Sequence, residues 1–202
     1  MPITVDFIFD FASPNAYLTH RVIPEIEERT GATFNYIPCL LGGIFKATGN
    51  QAPMLAFADI KGKLDYDRLE MQRYIARHKL DKFELNPHFP VNTLILMRGA
   101  IAVNKAGRLA EYIEAGTCAM WEQGLKMDDP DVFVDTMTKA GFDGADLLEQ
   151  TKDEAIKAEL MDNTMKAVER GTFGIPTFYV GDEMFFGKER LGQIEEEIVA
   201  QS

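Results

Sequence analysis

Ser13 is the residue whose chemistry most needs an explanation. It lies in "DFIFDFASPNAYLTH", residues 6 to 20, where an apolar stretch runs abruptly into "SPNAYL". Pro14 suits the first helical position, which needs no backbone N–H, and Ser13 suits the N-cap before it. A helix N-terminus carries unpaired N–H groups and a partial positive charge, so it favours an anion. A serine alcohol stays protonated near neutral pH and cannot itself be that anion. It can donate its O–H to one, such as a thiolate brought by a ligand. Taken alone, Ser-Pro at a helix start is an ordinary capping arrangement. Two other segments bear on the choice.

The first is "GTFGIPTFYV", residues 171 to 180, where Pro176 directly precedes a strand-like run. A cis bond between Ile175 and Pro176 would turn the Ile175 backbone outward, free to pair with a peptide-like ligand in strand fashion. The alternative is a trans proline opening an edge strand. The β-α-β start of the chain resembles thioredoxin-like folds, which place a cis-proline before their third core strand, and this resemblance predicts the cis form. The second is "FKATGNQAP", residues 45 to 53. Gly49-Asn50 could be only a turn, or Asn50 could supply a fixed polar partner to a ligand.

Composition narrows the setting. The chain has 202 residues and a formal net charge of −11, with Lys and Arg scattered. That length supports one large domain or a small domain carrying an insertion. The acidic balance argues against nucleic acid, whose phosphates need a basic surface. "MPITVDF" lacks a basic leader region, and no segment is long and uncharged enough to span a bilayer, so a cytoplasmic protein is expected. Cys39 and Cys118 make no C-x-x-C motif, though one disulfide stays open. With His20, His78 and His88 they show no metal-ligand spacing, so no metal is expected. Both cysteines and Trp121 are predicted to be buried packing residues.

The elements that must hold these residues follow from periodicity. "ITVDFIFDF" places Ile3, Val5, Phe7, Phe9 and Phe11 on one face at period two, a strand. A helix follows, in which Pro24 should kink or reset the chain. "ATFNYIPCL" reads as a second strand. Five charged amphipathic patterns then run from "LDYDRLEMQRYIARHKL" to "KDEAIKAELMDNTMKAVERG". Strand signals return at "TFYVGDEMFF", with a hairpin turn at Gly181-Asp182 or Asp182-Glu183, before a final helix in "KERLGQIEEEIVAQ". The order is β-α-β, a helical block, then β-β-α. This predicts an α/β protein with a thioredoxin-like domain (residues 1–44 plus 170–202) and an inserted all-helical domain (45–169).

"FDFASPNAYL", "LLGGIFKATGNQAP", "FPVNTLILMRGA" and "GTFGIPTFYVGDEMFFGKERL", in this order, resemble the kappa-class glutathione transferase family. Within that family they are most similar to the bacterial 2-hydroxychromene-2-carboxylate isomerases. The first and last segments are shared loosely with disulfide oxidoreductases of the DsbA type. There the places of Ser13 and Ala16 hold cysteines. The resemblance implies a DsbA-like architecture, glutathione as cofactor, a homodimer and a small aromatic or conjugated electrophile as substrate. It implies that Ser13 is the catalytic serine, stabilising the glutathione thiolate. It places Asn50, Lys63, Ile175 and Pro176 at glutathione, with Lys61 a competitor to Lys63. Where the family usually has a small or polar residue followed by Asp and Arg, this chain has Lys188-Glu189-Arg190. Glu189 would meet the γ-glutamyl ammonium with a side chain one methylene longer.

The implied reaction interconverts 2-hydroxychromene-2-carboxylate and trans-o-hydroxybenzylidenepyruvate through thiolate addition, bond rotation and elimination. The alternatives are a kappa-like transferase acting on other electrophiles and a non-catalytic glutathione-binding module. A thiol-disulfide oxidoreductase is opposed by the missing cysteines.

Overall fold

The computed structural model describes residues 2–201. Its sheet has strands β1 (Thr4–Phe9), β2 (Thr33–Pro38), β3 (Thr177–Val180) and β4 (Glu183–Phe186), in the order β2-β1-β3-β4. β1 and β2 run parallel, with Phe7 opposite Tyr36, because helices α1 (Pro14–His20) and α2 (Ile23–Thr30) form the crossover between them. β3 is antiparallel to β1, and β4 to β3. Gly181, at φ 59°, opens the two-residue turn between β3 and β4, where a side chain would be strained. Pro24 resets the first helical stretch as predicted: it sits in the first turn of α2.

Between the two strand pairs lie eight helices among the described residues. They are α3 (Leu41–Thr48), α4 (Pro53–Ala56), α5 (Lys63–His78), α6 (Leu94–Lys105), α7 (Leu109–Trp121), α8 (Pro130–Lys139), α9 (Gly144–Gln150) and α10 (Glu154–Glu169). A 3-10 turn at Lys188–Arg190 leads into α11 (Leu191–Ala200). α10 packs against α3, α6 and β2, while α11 packs against β3 and α2. One continuous apolar core joins the sheet and the helical segment. Together these elements make a DsbA-like thioredoxin fold with a large helical component.

Alternation in the sheet sorts its two faces. Phe7 stacks on Phe178 at 4.6 Å and meets Tyr36 at 4.8 Å, building one aromatic face. The opposite face presents Asp6 and Tyr179, a register pair. Arg170, just past α10, ion-pairs with Asp6 at 2.6 Å and lies 3.8 Å over the Tyr179 ring.

α10 is held at its start by Asp153, whose side chain accepts the Ala155 and Ile156 N–H groups at 2.7 and 3.4 Å. Asp153→Ala should therefore cost about 1 kcal/mol of stability, read as a denaturation midpoint. No loss would show that α10 is fixed by packing alone.

Candidate active site

The strand-to-helix joint is built as the sequence predicts, and more of it is paired than the sequence shows. Ser13 is 4% exposed and sits at the N-cap of α1, with extended backbone angles. Its Oγ accepts the Ala16 N–H at 3.2 Å and donates to the Ile175 carbonyl at 3.0 Å. The peptide between Ile175 and Pro176 is cis, as expected. One hydroxyl thus caps the helix and touches the proline ledge from across the chain.

Polar groups at this joint remain without protein partners. The buried Ile175 has an N–H with no acceptor among the described residues. Asn15 Oδ1, in the first turn of α1, is buried and likewise unpaired. An unpaired donor and an unpaired acceptor beside a helix end suit a ligand carrying peptide groups.

The other predicted site residues lie in separate segments of the chain. Glu189 is linked to the ledge through the next strand, since the Gly187 N–H donates to the Pro176 carbonyl at 3.0 Å. Its carboxylate pairs with the Lys188 ammonium, whose side chain is only 5% exposed and lies over the Tyr74 ring. Burial of Lys188 has no signal in "GKER". Asn50 follows α3, and its N–H donates to the Phe45 carbonyl at 3.0 Å. Lys63 opens α5, pairs with Asp67 and lies 5.0 Å over the Phe57 ring. Lys61 is exposed in the turn before it. No hydrogen bond joins Asn50 or Lys63 to Ser13 among the described residues.

One residue that the sequence passed over completes the surroundings. Asp10, three positions before Ser13, is fully buried and accepts from Ala12 N–H, Thr93 O–H and Leu41 N–H. Burial pushes its carboxyl from the ordinary 3.8 up to about 6, against the lowering by those three donors. The visible clue was an acidic residue inside an otherwise apolar strand run.

A raised carboxyl pKa has a definite linkage sign. The stability tied to Asp10 is fully present below about pH 4 and is lost as pH rises through 6. A displacement of this size is worth on the order of 3 kcal/mol. In Asp10→Asn, stability should vary less between pH 4 and 7 than in the wild type, measured by denaturant titration. Parallel profiles would assign the titration elsewhere.

The cysteines offer no redox pair. Both are free thiols. Cys39 is buried as predicted, and burial pushes its thiol up to about 12. Cys118 departs from the prediction: it is half-buried and lies in a polar network, accepting from Arg21 at 3.1 Å and donating to Glu114 at 3.3 Å. Burial, followed by the Glu114 carboxylate, raises its thiol to about 11. Neither thiol is a thiolate near neutral pH. His20 is a structural histidine, bonded to the Tyr36 hydroxyl at 2.7 Å.

A family model described as a DSBA-like thioredoxin domain matches residues 4–199. The chain belongs to that family. Within the DSBA-like family it is 29% identical over 193 residues to a 2-hydroxychromene-2-carboxylate isomerase of Pseudomonas putida, an alignment covering 95% of this chain and 92% of that one. It is 24% identical to rat glutathione S-transferase kappa 1, over 94% of this chain and 88% of that one. A solved 2-hydroxychromene-2-carboxylate isomerase superposes with a TM-score of 0.84 at 28% identity, covering 98% of this chain and 96% of that one. A probable DsbA oxidoreductase from Streptomyces coelicolor shares the DSBA-like fold at a TM-score of 0.69 and 15% identity, with 99% and 91% covered.

Proposed function

We propose that this chain is a glutathione-dependent isomerase that interconverts 2-hydroxychromene-2-carboxylate and trans-o-hydroxybenzylidenepyruvate. The observation that carries the proposal is the contact between the Ser13 hydroxyl and the Ile175 carbonyl at a cis-proline ledge. It places a neutral O–H donor, and not a thiol, at the positive end of α1. The full-length similarity to isomerases of that name and to kappa-class transferases supports the same reading.

The residues present fit glutathione. The unpaired Ile175 N–H would take a carbonyl of its cysteinyl portion, and the Ser13 hydroxyl would turn toward its sulfur. Asn50 and Lys63 would hold its carboxylate and backbone groups, and Glu189 its γ-glutamyl ammonium. When bound, glutathione would supply a thiolate able to add reversibly to a conjugated electrophile. Ser13 and the first-turn N–H groups of α1 stabilise negative charge at that point. Buried Phe11 and Trp121 close the floor behind the serine turn, with the Trp121 indole N–H on the Phe11 carbonyl at 3.0 Å.

Isothermal titration with glutathione tests the proposal. Saturable binding below millimolar is expected, and no binding at millimolar ligand would overturn it. Lys188 sharpens the test at the γ-glutamyl end. Its ammonium already neutralises Glu189, so Lys188→Ser should tighten glutathione binding by about tenfold. Unchanged affinity would place the γ-glutamyl group away from Glu189.

A further inference from the structure

Asp10 is the buried ionisable group that the proposed chemistry leaves unused. One of its oxygens accepts the Ala12 N–H at 2.9 Å and the Thr93 hydroxyl at 2.6 Å. The other accepts the Leu41 N–H at 2.7 Å. Its own backbone carbonyl accepts the Ser13 N–H at 3.2 Å. These donors come from three segments: the serine turn, the first residue of α3, and the residue that precedes α6.

We propose that the Asp10 carboxylate is a positioning residue that sets α3, and with it Asn50, against the serine turn. This rests on the glutathione reading, which is what puts Asn50 in the site. The mechanical link is short. α3 is a single eight-residue helix, and the Asn50 N–H is tied back to the Phe45 carbonyl at 3.0 Å. A shift in its first turn is therefore carried to its last.

The start of α3 is fixed by two side chains only among the described residues. The Leu40 N–H donates to Thr164 Oγ1 at 2.9 Å, and the Leu41 N–H donates to Asp10. The negative charge also complements the helix end it caps. Burying a carboxylate costs stability, and a neutral side chain would avoid that cost. What the carboxylate adds is acceptor capacity: two oxygens for three donors, with no hydrogen of its own.

That capacity is lost on protonation. A proton on the oxygen facing Leu41 opposes its N–H, and the α3 anchor is released while Asp10 itself stays buried. The α3 contact therefore weakens in acid even though the global stability tied to Asp10 has the opposite sign. With the pKa raised to about 6 by burial, release falls in mild acid. The other titratable group facing Asp10 is the Cys39 thiol, raised to about 12, which stays protonated throughout that range. Thr93 from the start of α6 and Thr164 from α10 do not titrate.

Asparagine cannot replace the carboxylate, because its one oxygen leaves an amide N–H facing a donor. Hydrogen exchange of the α3 peptide, read by mass spectrometry from pH 5 to 8 and corrected for intrinsic rates, tests the anchor without any ligand. Calorimetry with glutathione at pH 7.5 tests its consequence. In the wild type, α3 protection should fall as pH drops through 6. Asp10→Asn should expose α3 at every pH, keep β3 and α6 protected, and weaken glutathione by about tenfold. Thr93→Val removes a donor that lowers the Asp10 pKa, so the wild-type midpoint should move to higher pH. Wild-type protection of α3 in Asp10→Asn would overturn the proposal, as would a loosened α3 with unchanged glutathione affinity. Absence of glutathione binding by the wild type itself would overturn the cofactor reading, and the exchange profile would still decide whether Asp10 holds α3.

Discussion

Ser13→Ala is expected to lower turnover by about a hundredfold while leaving the fold intact. The hydroxyl makes two protein contacts, accepting from Ala16 and donating to Ile175. Losing the cap costs about 1 kcal/mol, or a few degrees in melting temperature for a chain of this size. Losing the Ser13 O–H donor at the positive end of α1 costs the proposed thiolate its stabilising partner. The two effects separate cleanly. Turnover, glutathione affinity and melting temperature of the same preparation decide between them. A fall in stability that accounts for the whole loss of activity would make Ser13 a cap and nothing more.

Gly116→Ala should produce a large loss of stability from a single methyl group. Gly116 lies in α7, where alanine is intrinsically better than glycine by about 1 kcal/mol. A Cβ there would sit 2.5 and 2.9 Å from two carbons of the Phe11 ring. That ring is fully buried and wedged edge-on against Phe9 at 4.9 Å and Tyr112 at 5.9 Å. The Phe11 carbonyl is also held by the Trp121 indole, so the residue cannot retreat. Overpacking should outweigh the helix gain and destabilise the protein by about 2 kcal/mol. Because Phe11 is two residues from Ser13, the strain is directed at the serine turn. Gly42→Ala in α3, whose Cβ would meet nothing within 4 Å, is the control and should be neutral or stabilising. A Gly116→Ala variant as stable as the wild type would show that α7 can shift away from Phe11.

What was legible in the sequence is what local chemistry dictates. Period-two apolar residues, a proline after a capping serine, and a glycine in a two-residue turn each act over a few positions. β1, α1 and the β3–β4 hairpin follow from them. The cis peptide before β3 was also readable, because Pro176 abuts a strand-like run in a chain whose β-α-β start resembles thioredoxin-like folds. α3 was not readable as a helix. "LGGIFKAT" carries two glycines, which disfavour helix, and its start is held by Asp10 and Thr164 from elsewhere in the chain. α9 was missed for a similar reason. It has seven residues, and Gly144 lets its start approach the Val134 carbonyl, where a Cβ would sit at 2.3 Å.

The site divides the same way. Ser13, Ile175 and Pro176 converge because strand pairing brings β1 and β3 side by side. Asn50, Lys63 and Glu189 belong to segments whose side-chain partners are set by tertiary contacts. The sequence could name those residues and not their pairings. Lys188 illustrates the limit: a lysine in a charged turn reads as exposed, yet the fold buries it against Tyr74 and its neighbour Glu189.

The most direct measurement is the rate of 2-hydroxychromene-2-carboxylate isomerisation by the purified protein with and without glutathione. The account predicts turnover that saturates with glutathione, does not consume it, and falls to background when it is removed. Equal rates in its presence and absence, or no isomerisation with glutathione bound, would contradict it.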